Sequence, residues 1–292
     1  MKAPQPFVSK RRPGAPRLPQ ASRAAHTLRT PGWGWGVVPA CVGALCAAVV
    51  HAPAAWLADP VTRLTQGRLV LSHAQGTVWR GQAWLTLTGG ADSTDRVTLP
   101  TPLSWQLALQ GGGLGVSLDT ACCVATPVQL HWTPGWSQQT LAIAPHRSQW
   151  PAGLLVGLGT PWNTLQLQAQ LAFQTPGMQW VLKGNAPAQG SGSATLDVVD
   201  ASSRLSTVRP LGSYRLQLGW PSGGGDGTAT SPTLNLSTLQ GSLLLSGEGQ
   251  WVAGRLRFSG EAQAASERGD ALNNLMNLLG RRVNGRTLIK IG

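Results

Sequence analysis

The chain has 292 residues, a formal net charge of +12, 37 Gly and 21 Pro, and only 12% charged residues. Helix-favouring Lys and Glu number four and three, so the composition favours strands and turns over helices. Residues 1–29 carry seven Lys or Arg and no acid, whereas the rest of the chain carries 16 basic residues against 11 acids. Because the excess charge lies in one short tail, and no zinc-finger, homeodomain or RNA-recognition motif is present, the sequence argues against nucleic-acid binding.

An uncharged stretch of 18 residues, 33–50, follows the basic tail. A helix of this length reaches roughly 27 Å, close to the ~30 Å hydrocarbon core of a bilayer. Trp33 and Trp35 stand at one end and Trp56 beyond the other, where aromatic residues lie at membrane interfaces. We predict a disordered basic cytoplasmic tail at 1–32, a transmembrane anchor at 33–57 and, by the positive-inside rule, a periplasmic domain at 58–292.

Two other interpretations of this segment stay open. Ala52-Pro53-Ala54 is similar to a signal-peptidase site, so the segment is alternatively a cleaved signal peptide. A lipoprotein site at Cys41 leaves only about eight apolar residues ahead of the cysteine. The long tail and the length of the apolar run favour an uncleaved anchor in the inner membrane.

The four cysteines form two pairs. Cys41 and Cys46 lie within the predicted anchor, where we expect them to act as packing residues. Cys122 and Cys123 are adjacent, and residues 58–292 contain no other cysteine. They therefore form a vicinal disulfide, form an intermolecular bond or stay free; a disulfide framework is excluded by their number.

The sequence predicts no catalytic, cofactor-binding or metal-binding residue. The only histidines of residues 58–292 are His73, His131 and His146. None has another His, Cys or acid at ligand spacing. The closest pairs of acids are Asp92 with Asp95 and Asp197 with Asp200, which we assign to turns and caps. Since motifs of hydrolases, metalloproteases and phosphate-binding loops are also missing, we predict a protein that is not an enzyme and needs no cofactor.

Residues 58–292 are dominated by alternating apolar and polar residues. The clearest run is 165–173, where Leu, Ala and Phe alternate with Gln, and similar runs surround Trp105, Tyr214 and Leu256. Gly-rich turns separate the runs. This pattern predicts a mainly β domain, an antiparallel β-meander folded as a partial barrel, sandwich or curved trough. Its apolar face is predicted to contain Trp84 or Leu85, Leu107, Leu167, Leu171, Leu216, Leu218 and Phe258.

One short C-terminal helix is predicted after the meander. Leu272, Leu275, Met276 and Leu279 follow helical spacing, with Asp270 as the N-cap and Gly280 as the stop. We expect this helix to pack on a face of the sheet or to cap an open end of it. Residues 288–291 are predicted as a last strand.

Several phrases taken in order resemble protein N of the bacterial type II secretion system. They are Ala52–Ala58, Gly76–Gly81, Pro102–Trp105, Arg209–Leu216, Leu245–Trp251, Arg257–Gly260 and Leu278–Gly280. The resemblance covers about residues 45–292. It implies a non-enzymatic, single-pass inner-membrane subunit of a machine that exports folded proteins from the periplasm across the outer membrane. The implied partners are the inner membrane and other secretion subunits.

An envelope protein of the AsmA-like type is the alternative. Such proteins also have one anchor and an exported β-meander, and their sheets form an apolar trough that binds or transports lipid. Both interpretations predict the same fold. They differ in whether the apolar face contacts a packed core and protein partners, or acyl chains.

Overall fold

The computed structural model describes residues 34–184, 189–220, 231–252, 254–265, 272, 275–277, 280–283 and 286–292. The chain divides into two compact units, residues 1–46 and 47–292. The predicted tail at 1–32 lies outside the described residues, as do Asp270 and Leu279 of the predicted C-terminal helix.

Short helices precede and interrupt the sheet. The α-helices are α1 (Gly34–Val50), α2 (Ala58–Leu64) and α3 (Trp162–Leu165), and the 3-10 helices are η1 (Ala54–Leu57) and η2 (Ala152–Leu158). Helix α1 has 17 residues and falls within the predicted anchor. In the described part of the chain, no helix combines the length and the apolar character needed to cross a membrane. The transmembrane anchor stays a prediction.

Sixteen strands make up the rest of the described fold. The first eight are β1 (Leu69–Gly76), β2 (Arg80–Thr88), β3 (Arg96–Thr98), β4 (Leu103–Gln110), β5 (Gly113–Asp119), β6 (Val128–Thr133), β7 (Gln139–Ile143) and β8 (His146–Pro151). The second eight are β9 (Gln168–Leu182), β10 (Gln189–Ser202), β11 (Gly212–Gly219), β12 (Thr233–Gly241), β13 (Leu243–Val252), β14 (Arg255–Ala264), β15 (Arg281–Val283) and β16 (Arg286–Ile291).

All sixteen strands join in one open antiparallel sheet. The order is β1-β2-β4-β5-β6-β7-β9-β10-β11-β12-β13-β14-β16-β15, with β3 beside β2 and β8 beside β9. Strand β9 is long enough to pair with β8 over residues 170–175 and with β7 over residues 178–182. Since nearly every strand pairs with its neighbour in sequence, the predicted antiparallel meander is confirmed.

Tight turns connect the strands. Gly111 and Gly112 form the β4–β5 turn with φ angles of +56° and +77°. Two successive positive φ angles are the requirement of the two-residue hairpin turn whose twist matches the flanking strands, and Gly adopts them without steric cost.

Register places the apolar side chains on one face of the sheet. Trp105 lies opposite Leu118, and Gln106 opposite Ser117 on the other face. Residues directly opposite each other on paired strands lie on the same face of the sheet. The apolar face can therefore be traced from each strand to the next. The predicted face is confirmed for the residues within strands, with Leu85 rather than Trp84 on it, because Leu85 pairs with Leu71 of the apolar face.

Three segments cover parts of this apolar face. Ala54 of η1 packs with Ala83 and Trp105. Ala152 of η2 packs with Leu171, Val198, Ala201 and Tyr214. Leu272, Leu275 and Met276 pack with Val208, Leu211, Leu243 and Ala262. Leu272, Leu275 and Met276 are helical and buried, so the predicted helix lies on the sheet.

A buried hydrogen bond links the second and third of these clusters. The Tyr214 hydroxyl donates to the carbonyl of Leu243 at 3.0 Å. Burial raises the pKa of Tyr214 above its usual range, so the hydroxyl keeps its proton and remains a donor.

Candidate functional site

The three histidines of residues 58–292 lie on separate strands. His73 is exposed on β1, His131 is half-buried on β6 and His146 is buried on β8. Among the described residues, no three His, Cys, Asp or Glu side chains come together as a metal site would require. His146 faces the apolar side of the sheet, and its burial lowers the pKa of the imidazole, so the neutral ring is favoured.

The assignment of Asp197 and Asp200 to a turn is wrong. Both Asp197 and Asp200 lie within β10, because the Ser- and Gly-rich stretch before them continues a strand rather than ending one. Asp197 accepts two hydrogen bonds of 2.7 Å from Arg215 on β11. These bonds hold the pKa of the Asp197 carboxyl below its usual range. The pair lies on the polar face and joins two strands.

Asp92 and Asp95 lie between β2 and β3, as a turn assignment predicts. Asp95 Oδ2 accepts a hydrogen bond of 2.8 Å from Asn163 Nδ2 of α3. This bond ties the turn to the segment after η2, a structural rather than a chemical role.

Cys122 and Cys123 form a vicinal disulfide, the first of the three alternatives. Cys122 is exposed and Cys123 is buried. The Cys123 carbonyl accepts a hydrogen bond of 2.8 Å from the Gln149 backbone on β8. The backbone of the pair is therefore fixed to the sheet.

The strongest candidate site is an end of the apolar face that carries a row of tryptophans. Strands β4, β6, β9, β11 and β13 run in the same direction and finish at this end, which we call the tryptophan end. Its row consists of Trp132, Trp180, Trp220 and Trp251. The register carries Trp132 opposite Leu141, and Leu141 opposite Trp180. The rings of Trp180 and Trp220 meet edge-on, with their centroids 5.9 Å apart.

Apolar side chains at the tryptophan end remain in contact with solvent. Leu109 is 79% exposed and Trp132 is 38% exposed, whereas Trp105, further along the same face, is 5% exposed. Trp136, in the β6–β7 turn, is fully exposed. Since soluble surfaces usually carry such residues singly, a group of them at one strand end marks an interaction surface.

Among the residues that the structure describes, the charges at the tryptophan end have one sign. Arg80, Lys183 and Arg255 are exposed there. Of the described residues, no Asp or Glu lies in the turns at this end or in the three strand residues adjoining them. The surface therefore favours an anionic partner.

The chain enters the sheet at the same end. Trp79, in the β1–β2 turn, donates a hydrogen bond of 2.8 Å from Nε1 to the carbonyl of Val49, and Val78 N donates to the carbonyl of Ala52 at 2.8 Å. This turn lies on the side of the tryptophan end because β1 and β4 are both antiparallel to β2 and so run in the same direction. Leu107 N of β4 donates to the Trp79 carbonyl at 2.7 Å. The C-terminal part of the predicted anchor, at Val49 and Ala52, is thus joined to the tryptophan end.

Sequence reasoning missed the tryptophan row, although a signal for it exists. Each of the four tryptophans ends an alternating run, one to four residues before the next Gly or Pro. In an antiparallel meander, every second strand ends at the same side of the sheet. Placing each Trp at a strand end and then following strand direction would have brought the four together.

Comparison with known proteins identifies one family. The family model of type II secretion system protein N matches residues 67–290, which include every strand of the sheet apart from the last residue of β16. Searches of the curated proteins and of the solved structures gave no match.

Proposed function

Since the chain belongs to the type II secretion system protein N family, we propose that it is a non-enzymatic subunit of a type II secretion system, anchored in the inner membrane. It takes part in the export of folded proteins from the periplasm across the outer membrane. The observation that carries this proposal is the extent of the family match, which runs from before β1 into β16 rather than over one motif.

The charge distribution supports a single-pass topology with the N-terminus in the cytoplasm. The seven basic residues of 1–29 precede the uncharged stretch at 33–50, and no comparable cluster directly follows it. Residues 58–292 are then periplasmic and remain tethered.

Other secretion subunits are the proposed partners, and the edges of the sheet are suited to receive them. Strands β1 and β15 are the two ends of the described sheet order. An edge strand presents unpaired backbone groups to which another chain can add a strand.

A second candidate function is lipid binding of the AsmA-like type. The observation that favours it is the incompletely covered apolar face, because acyl chains are a natural occupant of such a surface. Protein export is preferred, since the family match bears on secretion alone.

A deletion strain tests the proposal. We expect exoprotein to accumulate in the periplasm without this chain and to be exported again when the full chain is restored. Native mass spectrometry of the purified protein is the second measurement. Normal export in the deletion strain, together with stoichiometric co-purified phospholipid, would favour lipid binding over a role in protein export.

Fusions test the topology separately. Alkaline phosphatase placed after Gly292 is expected to be active, and the same enzyme after Thr30 inactive. An inactive C-terminal fusion, or a mature protein that begins near Ala55, would contradict the tethered periplasmic domain.

A further inference from the structure

We propose that the tryptophan end of the sheet lies against the surface of a phospholipid bilayer, with Trp132, Trp136, Trp180, Trp220 and Trp251 at or near the headgroup boundary. The proposal rests in part on the membrane anchor proposed above. It adds a second contact with the bilayer, made by the periplasmic sheet itself.

The chemistry of the side chains favours a bilayer interface over a packed core. Indole has an apolar body and one N–H donor, and Trp is enriched where a membrane meets water. The contrast lies within one face: Trp105 is buried at 5% exposure, whereas Trp132 at the strand end is 38% exposed. Leu109, at 79% exposure, adds aliphatic surface beside the indoles.

Electrostatics favours anionic headgroups. Arg80, Lys183 and Arg255 are exposed at this end, which among the described residues has no adjoining carboxylate. Basic residues near a membrane surface are attracted by anionic phospholipids within about a Debye length. Tryptophans and cations together form the combination that peripheral membrane surfaces use.

The position of the tryptophan end in the chain also favours a bilayer as its partner. The Trp79–Val49 and Val78–Ala52 hydrogen bonds join the β1–β2 turn to the C-terminal part of the predicted anchor. Towards the other end of the strands, η2 and the helix around Leu275 cover the apolar face. Near the β1–β2 turn, η1 covers Ala83 and Trp105. The part of the face left uncovered, around Leu109 and Trp132, therefore lies at the end where the anchor brings the sheet closest to the bilayer.

Photocross-linking in the full chain tests the contact. A photoreactive amino acid replaces Trp136 or Leu109, and the protein is reconstituted in vesicles of phosphatidylethanolamine and phosphatidylglycerol. Leu205 and Leu239 are the matched controls, because they are exposed at 37% and 48% and lie towards the opposite end of the strands. We expect phospholipid adducts at Trp136 and Leu109, several-fold above those at the two controls. Equal yields at all four positions, or adducts to protein alone, would overturn the proposal.

A charge variant and an extraction measurement separate this proposal from the proposed function. The double substitution Lys183→Glu and Arg255→Glu is expected to lower the adduct yield at Trp136 while the circular dichroism of the protein stays unchanged. An unchanged yield would contradict the electrostatic part of the argument.

Carbonate extraction of the same membranes reports the anchor, and the export assay reports secretion, so either can fail while the cross-linking result stands.

Discussion

Arg215 and Asp197 lie directly opposite each other on β11 and β10 and form an ion pair with two hydrogen bonds of 2.7 Å. The pair lies on the polar face of the sheet, and its carboxyl side chain is 19% exposed. Parallel bonds from one guanidinium to both carboxylate oxygens fix the relative position of the two strands as well as adding energy.

Asp197→Asn should lower the urea midpoint of unfolding at neutral pH. The pKa of Asp197 is lower in the folded chain than its ordinary value of 3.8, mainly because of the hydrogen bonds from Arg215. Its contribution is therefore present above pH 3.8 and is lost as the pH falls through the lowered pKa. The difference between wild type and variant should shrink in that acid range. Asp119→Asn, at an exposed strand position, is the control and should leave the midpoint unchanged.

His146 should make the fold less stable in mild acid. Burial lowers the folded-state pKa of His146 below its ordinary value of 6.5, so the unfolded chain takes up a proton first as the pH falls. Its contribution is complete above pH 6.5 and is lost between that value and the lowered pKa. His146→Phe should flatten this part of the stability profile measured by urea unfolding. His73→Gln, at an exposed position, should keep the wild-type profile; an equal flattening there would contradict the assignment.

The sequence predicted the strands and the apolar face well because alternation is a local signal. Leu107, Leu171 and Leu216 could be placed on one face from their own neighbours. Trp84 and Leu85 could not be separated, since both lie within one strand and only the pairing of Leu85 with Leu71 decides between them.

Features that depend on distant parts of the chain were not predicted. Asp197 was assigned to a turn, because its partner Arg215 lies 18 residues away on the next strand. The cover that η2 supplies could not be read from residues 152–158, since their burial is defined by β9, β10 and β11. The tryptophan row likewise exists only once four strand ends are brought together.

Gly190→Ala should destabilise the sheet at the tryptophan end. A Cβ atom at Gly190 would overlap a ring carbon of Trp220, so the indole must move and its edge contact with Trp180 is lost. Overpacking of this kind costs about 1–3 kcal/mol. Urea unfolding and near-ultraviolet circular dichroism measure the two effects.

Gly219→Ala is the control for this substitution. Gly219 lies on the neighbouring strand, and the nearest atom to its added Cβ is 4.0 Å away. The control should lose no stability. Equal behaviour of the two alanine variants would mean that Trp220 does not occupy the space above Gly190.

Changing both Cys122 and Cys123 to Ser should alter the free energy of unfolding by no more than about 1 kcal/mol. A disulfide between adjacent residues closes almost no loop, so it removes little entropy from the unfolded chain. Urea unfolding with and without reductant measures the effect. A much larger loss would show that the pair has a covalent role beyond the local bond.

Leu272→Ala should be among the most destabilising single substitutions in the chain. Leu272, on the C-terminal helix, is 0% exposed and packs with Leu243 and Ala262 of the sheet. Removing a buried Leu side chain loses transfer free energy and leaves a cavity, together about 2–5 kcal/mol. Leu244→Ala is the matched control, because Leu244 is next to Leu243 on β13 but is 41% exposed on the opposite face, and it should cost about 0.5 kcal/mol or less. Equal losses for the two variants in urea unfolding would mean that the helix does not contribute to the core.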